Sequence, residues 1–311
     1  MGGTGSAQVP GSGGNAGIGA GTATGTAGTA PRGTGGSGSS MTGMAGGSGG
    51  AAGMDSAPAD SRPPCISMPS AQVVMIGDSY VTGFGSPPLQ PALANLVPDA
   101  TNYPNYAGAG CSMASGGICT GLYGNVPDQF DAASGEHADI KLVIMNGGGN
   151  DVLLPAAGSP DCKNEKGSSM DPGCTSIVKL SLDTATALVM HMADKGVKDV
   201  IFFFYPHIPS VDGGLGGTTA NEILDYAYPT AADSCNKASA MTDGKINCHF
   251  IDMRKPFADT GSIDGAGPWT NISDDGVHPT DAGQAVQATQ IVNVMKSACL
   301  GQPASSNCCA P

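Results

Sequence analysis

An α/β fold built on a parallel sheet is predicted by three features of this 311-residue chain. Short apolar runs recur at wide spacing: Val73–Ile76, Ile140–Met145, broken only by Lys141, and Val197–Tyr205, broken only by Lys198 and Asp199. Strands buried on both faces read as continuous apolar runs, whereas half-exposed strands alternate. Segments with helical apolar spacing separate or follow these runs, which is the order of a parallel sheet covered by helices on both faces. The polar groups of interest all follow strand ends, where ligands bind in such sheets.

Residues 1–64 stand apart. They are almost entirely Gly, Ala, Ser, Thr and Pro, with no apolar periodicity, so they bury too little surface to offset chain entropy. They are expected to form a disordered tether with a reach of roughly 45 Å. Residues 65–311 are the length of one sizeable α/β domain.

Taken in order, Gln72–Ile76 is the first strand and runs straight into Gly77-Asp78-Ser79. Residues 86–100 hold four prolines around Leu93–Val97 and predict a loop with at most a short helix. Asn102–Gly110 predicts a second short strand ending in a glycine turn, and Cys111–Gly124 a loop. Ile140–Met145 is the next strand and ends at Asn146-Gly-Gly-Gly-Asn150-Asp151. Residues 155–175 read as a cysteine-stapled insertion. Ile177 to Lys195 is a helix, with Ile177, Leu180, Thr184, Leu188 and Met192 at helical spacing. Val197–Tyr205 is the longest apolar strand, ended by Pro206 and Pro209. Residues 207–247 read as irregular, with a short helix near Asn221–Tyr228. His249–Met253 is a last strand. Asp281–Cys299 is a terminal helix capped by Thr280, its buried face drawn through Ala282, Val286, Thr289, Val292, Met295 and Cys299. The tail 300–311 is tied down by Cys308 and Cys309.

The net charge is -13, and the 13 basic residues form no cluster, which argues against a nucleic-acid partner. No stretch approaches a transmembrane span. The ten cysteines all lie beyond residue 64 and form no Cys-x-x-C pair, so disulfides in an oxidising compartment are expected rather than zinc. The sequence-local pairings are Cys111–Cys119, Cys162–Cys174 and Cys235–Cys248. Met1 is followed directly by glycines with no apolar signal region. The cysteines therefore imply an export signal removed from this form of the chain, and a secreted, cell-surface or periplasmic protein tethered through its linker.

The chemistry gathers at strand ends. A serine beside a turn-forming glycine is held out of the sheet, where a nucleophile belongs. Serine attack on a carbonyl needs a base, and histidine titrates near neutrality. His278 stands in Asp274-Asp275-Gly-Val-His278, where Asp275 could fix its tautomer. The tetrahedral intermediate needs donors for its oxyanion. The candidates are the backbone amides of Ser79 and Gly110 and the side-chain amide of Asn150. His137, His191 and His249 look ordinary, while His207 follows the longest strand and could line a cleft. Three scattered glutamates speak against a glycosidase, no phosphate-binding P-loop occurs, and Asn271-Ile-Ser273 matches a glycosylation acceptor.

Together these segments resemble the SGNH hydrolases, the GDSL-type esterase and lipase superfamily. Its four blocks occur here in order: Gly77-Asp78-Ser79, the lone Gly110, Gly148-Gly149-Asn150-Asp151, and Asp275-Gly276-Val277-His278. The resemblance spans residues 72–300. It implies a flavodoxin-like three-layer α/β/α sandwich with a central parallel sheet. It also implies a serine esterase in which Ser79 is the nucleophile, His278 the base, Asp275 its partner, and Ser79, Gly110 and Asn150 the oxyanion hole. Gly108 is the alternative register for Gly110, and Asp274 the rival of Asp275. No metal and no organic cofactor is implied. Low aromatic content points to small acyl groups. The rival functions are a carbohydrate-binding or adhesion module with an inactive site, a thioesterase, and a lipase or lysophospholipase.

Overall fold

In a computed structural model, the structure describes residues 66–114, 119–153, 172–209, 218–260 and 269–302. The tether 1–64, most of the stapled insertion 155–175, Cys162, and the tail with Cys308 and Cys309 lie outside the described residues.

Four strands, β1 (Val73–Ile76), β2 (Leu142–Met145), β3 (Asp199–Phe203) and β4 (Asn247–Ile251), form one parallel sheet in the order β1-β2-β3-β4. Val73 pairs with Leu142, Leu142 with Asp199, and Asp199 with Asn247. Every residue of β1 and β2 is buried, as their unbroken apolar composition requires. The last strand is shifted two residues towards the N-terminus of its expected span.

The expected second strand at 102–110 is a single bridge, Met75 to Asn105. Met75 donates its amide to Pro104 (2.9 Å) and accepts from the Tyr106 amide (2.8 Å). Pro104 has no N–H to donate, and the ladder does not extend. The bridge still places this segment beside β1, on the side away from β2. The spatial order is therefore the 2-1-3-4-5 order of flavodoxin-like sheets.

Eight helices surround this sheet among the described residues: α1 (Ser79–Thr82), α2 (Leu89–Ala94), α3 (Val126–Glu136), α4 (Gly149–Leu153), α5 (Pro172–Asp194), α6 (Thr218–Met241), α7 (Arg254–Thr260) and α8 (Asp281–Ser297). Right-handed crossovers from the Asn105 segment to β2, β2 to β3 and β3 to β4 put α3, α5 and α6 on one face. The connection from β1 to Asn105 runs the other way, so α2 lies on the opposite face, where it packs against α8. The result is a three-layer α/β/α sandwich. No helix among the described residues is long and apolar enough to cross a membrane.

Three helices correct the sequence reading. α3 starts at an Asn125/Asp128 capping box and buries Val126, Phe130 and Ala133, a helical spacing that the reading leaves unassigned. α6 replaces the irregular stretch and is 24 residues long, with Pro229 inside it. Its buried stripe is Ala220, Ile223, Leu224, Ala227, Ala231, Cys235 and Ala238. Packing of that stripe outweighs the one helix hydrogen bond that a proline cannot donate. α8 is capped by Thr280 as expected, its hydroxyl accepting from the Gly283 amide at 3.2 Å. Its buried face, however, is Gly283, Gln284, Gln287, Ala288, Ile291, Val292 and Met295, while Ala282 and Thr289 are exposed. In α5, Leu188 and Met192 are buried as expected, but Leu180 is exposed.

Two disulfides, Cys111–Cys119 and Cys235–Cys248, join the pairs expected from proximity in sequence. Cys174 and Cys299 are disulfide-bonded as well.

Candidate active site

The sheet order has its switch point at the end of β1, where one connection runs towards Asn105 and the next towards β2. Strand ends diverge there and leave a crevice. Ser79 follows β1, Gly110 follows the bridged segment, and Asn150 follows β2.

Gly77 makes the turn out of β1 at φ +139, and a Cβ there would lie 2.0 Å from Asn146 Oδ1. Two buried amide side chains hold this turn. Gln129 Oε1 accepts from the Gly77 amide (2.7 Å), and Gln129 Nε2 donates to the Gly77 carbonyl (3.0 Å). Asn146 Oδ1 accepts from the Asp78 amide (3.0 Å), and Asn146 Nδ2 donates to Asp78 Oδ1 (2.8 Å). Asp78 then caps α1 by accepting from the Tyr80 amide at 3.0 Å. Ser79 is thereby fixed as the first residue of the helix.

His278 reaches Ser79 from a hairpin-like loop closed by the Ile272–Pro279 bridge and a Ser273 amide to His278 carbonyl bond of 2.8 Å. The Tyr80 hydroxyl donates to the Val277 carbonyl at 2.6 Å, so the helix that carries Ser79 also anchors this loop. His278 Nε2 lies 2.9 Å from Ser79 Oγ, and His278 Nδ1 lies 2.5 Å from Asp275 Oδ2. With Nδ1–H donating to the carboxylate, Nε2 is left to accept the serine proton. Burial pushes the Asp275 carboxyl up, but hydrogen bonds from the Ser273 hydroxyl, the His278 amide and ring, and the Val277 amide bring it down to about 2. The neighbouring Asp274 is exposed, and none of the described hydrogen bonds or ion pairs involves its side chain.

Gly108 and Gly110 separate cleanly. The Gly108 amide donates to the Gly77 carbonyl (3.0 Å), and a Cβ on Gly108 would lie 2.6 Å from Gly121 Cα, so Gly108 serves close packing. The amides of Gly110 and Ser79 have no hydrogen-bond partner among the described residues. Asn150 is in the same crevice, but its amide donates to the Cys111 carbonyl (3.0 Å) and, at 3.4 Å, to Asp78 Oδ2.

Several residues of this site were not singled out from sequence. Gln129 and Asn146 hold the turn. Tyr205 follows β3, lines the crevice and donates its hydroxyl to Asp78 Oδ2. Burial pushes the Asp78 carboxyl up, against the hydrogen bonds from Tyr205, Tyr80 and Asn146. Asp151 accepts from the Met113 and Ala114 amides (2.7 Å each) and fixes the loop after Gly110. Only Asp151 had a local signal, its place in the Gly-x-Asn-Asp block. The partners of the others are 52 to 127 residues away in sequence.

The crevice encloses a cavity of about 220 Å³, bounded by Ser79, Phe84, Gly110, Asn150, Leu224 and His278 among others. His207 does not line it; its ring pairs with Asp225 (2.8 Å), and its neighbour Ile208 faces the cavity instead. Asn271 is buried and donates to the Phe257 carbonyl (3.0 Å), so the acceptor triplet is inaccessible to glycosylation in the folded chain. Among the described residues, no three His, Cys, Asp or Glu side chains come together as a metal site.

The profile of the GDSL-like lipase/acylhydrolase family matches residues 75–286. No curated protein matches the chain. Among solved structures, an extracellular lipase from Streptomyces rimosus aligns with a TM-score of 0.45 at 19% identity, over 71% of this chain and 98% of that one. A carbohydrate acetylesterase family member from Sinorhizobium meliloti aligns at 0.46 and 16%, over 74% and 99%. Phospholipase A1 from Streptomyces albidoflavus NA297 aligns at 0.43 and 18%, over 71% and 98%.

Proposed function

The chain belongs to the GDSL-like lipase/acylhydrolase family and is a carboxylic ester hydrolase, and on that premise we propose that it is a secreted esterase for small acyl groups with Ser79 as its nucleophile. Ser79 Oγ attacks the ester carbonyl as its proton passes to His278 Nε2. Asp275 holds the imidazole in the accepting tautomer and stabilises the imidazolium that forms. The oxyanion is taken by the amides of Ser79 and Gly110. Asn150 joins them by turning its amide away from Asp78, which costs only its longer bond of 3.4 Å. His278 then protonates the departing alcohol. Water, activated by the same nitrogen, releases the acid from the acyl-serine. Donors placed for an oxyanion are each worth about 3–4 kcal/mol of barrier.

The observation that carries this reading is the unbroken chain from Ser79 Oγ through His278 to Asp275, set beside two backbone amides that have no partner among the described residues. The disulfides support export, because such bonds persist in oxidising compartments. Residues 1–64 serve as a tether to the catalytic domain 65–311.

The test is turnover of p-nitrophenyl esters from acetate to palmitate, with thioester counterparts, by wild type and Ser79→Ala. Ser79→Ala is expected to lower kcat by at least about 10³-fold with the melting temperature unchanged. Near wild-type turnover by Ser79→Ala would remove the mechanism. A preference for thioesters or long-chain esters would replace the small-acyl substrate class.

A further inference from the structure

A tetrahedral centre on Ser79 has three other substituents, and the site gives each a direction. The oxyanion faces the amides of Ser79 and Gly110. The leaving oxygen must lie within reach of His278 Nε2, which places the alcohol beside Val277 and the Phe84 ring, 5.8 Å from the imidazole. The rest of the lining comprises Ala109 and Thr120 on the Gly110 side and Tyr205, Ile208 and Leu224 away from it, and the acyl group is assigned to the latter, apolar wall.

Behind that wall lies a second, smaller cavity of about 20 Å³ with apolar sides formed by Val152, Val178, Leu182 and Ile223. Leu224 and Gly149 border both cavities. The Gly149 backbone, with the Tyr205 ring packed against it, and the side chain of Leu224, buried in α6 at 3% exposure, therefore stand between them, and of these two shared residues only Leu224 has a side chain that truncation removes. The front cavity of about 220 Å³ is shared by acyl and alcohol parts of the substrate. A cavity of about 150 Å³ is filled by one benzene, so little length is left for the acyl chain while the partition stands.

We infer that Leu224 is the specificity-determining residue that limits this esterase to short acyl chains, by closing the acyl end of the site against the apolar cavity behind it. The inference rests on the reading of Ser79 as the nucleophile. Ile208 shapes the same end but does not border the rear cavity, so its truncation opens no path for a longer chain.

The experiment compares kcat/KM for p-nitrophenyl acetate, butyrate and octanoate in wild type, Leu224→Ala, Leu224→Val and Ser79→Ala, with circular dichroism confirming each fold. Wild type is expected to prefer acetate and butyrate. Leu224→Ala is expected to raise the octanoate-to-acetate ratio by about tenfold or more, the discrimination that a methylene-sized change in an apolar pocket supports. Leu224→Val, the milder truncation should the alanine variant fail to fold, moves the ratio the same way by about threefold. An unmoved ratio in a folded Leu224 variant, or a wild type that already favours octanoate, overturns the inference while Ser79-dependent turnover stands. Turnover that survives Ser79→Ala overturns the nucleophile reading instead.

Discussion

Asp275 accepts three hydrogen bonds at Oδ1, from the Ser273 hydroxyl and the amides of Val277 and His278, and a fourth at Oδ2 from the His278 ring. The three at Oδ1 decide what an amide replacement would do. In Asp275→Asn the oxygen stays with those donors and the NH2 group faces His278 Nδ1. The imidazole then carries its proton on Nε2 and cannot accept from Ser79. On the proposed mechanism kcat falls by about 10²–10⁴-fold with KM little changed, read from steady-state kinetics. Held down to about 2, Asp275 contributes stability that is present above the ordinary carboxylate range and is lost only as pH falls through that low value. Asp78 has the opposite sign. Burial raises its carboxyl, so its contribution is full at low pH and declines as pH rises from the ordinary value of 3.8 through the raised one. As pH rises above the ordinary value of 3.8, melting temperatures should therefore decline less in Asp78→Asn than in wild type; equal slopes would contradict the assignment.

At the scale of elements, α8 illustrates how a neighbour chooses a face. Its cap was legible at Thr280, and Val292 and Met295 are buried as expected, yet Ala282 and Thr289 of the expected stripe are exposed and Gly283, Gln284 and Gln287 are buried instead. The reason is Gly283, where a Cβ would lie 2.1 Å from the Asn271 carbonyl oxygen. Only glycine lets the helix approach that closely. Gln284 then turns inward and donates to the Pro87 carbonyl at 2.9 Å. Gly283→Ala is expected to destabilise the fold by about 1–3 kcal/mol, seen as a lower urea midpoint at unchanged slope. α6 makes the same point through Pro229. That proline lies within a 24-residue helix, because the small and branched residues around it fill a stripe against α5 and β4.

At the scale of the whole molecule, the reversal of connection at β1 makes the crevice, the Cys111–Cys119 link holds its rim, and the Cys235–Cys248 link ties α6 to the start of β4. Cys111 directly follows Gly110, and its bond to Cys119 closes a loop of sequence separation 8 beside the site. Closing so short a loop stabilises by about 2–3 kcal/mol, and the Cys235–Cys248 link, of separation 13, by about 3 kcal/mol. Titration with dithiothreitol is expected to lower the urea midpoint. On the proposed mechanism it should also depress esterase activity at reductant levels where circular dichroism is still native, because the Gly110 amide loses its fixed aim. Activity and ellipticity falling together would show that the disulfides act on the global fold alone.

The sequence by itself determined the parallel sheet, since its apolar runs can be satisfied only by burial on both faces. It also carried Ser79, Gly110, Asn150, Asp275 and His278 as candidates, because each sits at a strand end or in a short block whose spacing is local. Asp275 and His278 are three residues apart, so their pairing needs no knowledge of the rest of the chain. Tertiary structure alone distinguishes Gly108, whose amide is bonded to the Gly77 carbonyl, from Gly110, whose amide has no partner among the described residues. It alone brought in Gln129, Asn146 and Tyr205, and set Leu224 in the wall of the cavity. Those contacts join residues dozens to over a hundred positions apart, and a buried amide or leucine carries no local mark of the partner that folding will bring to it.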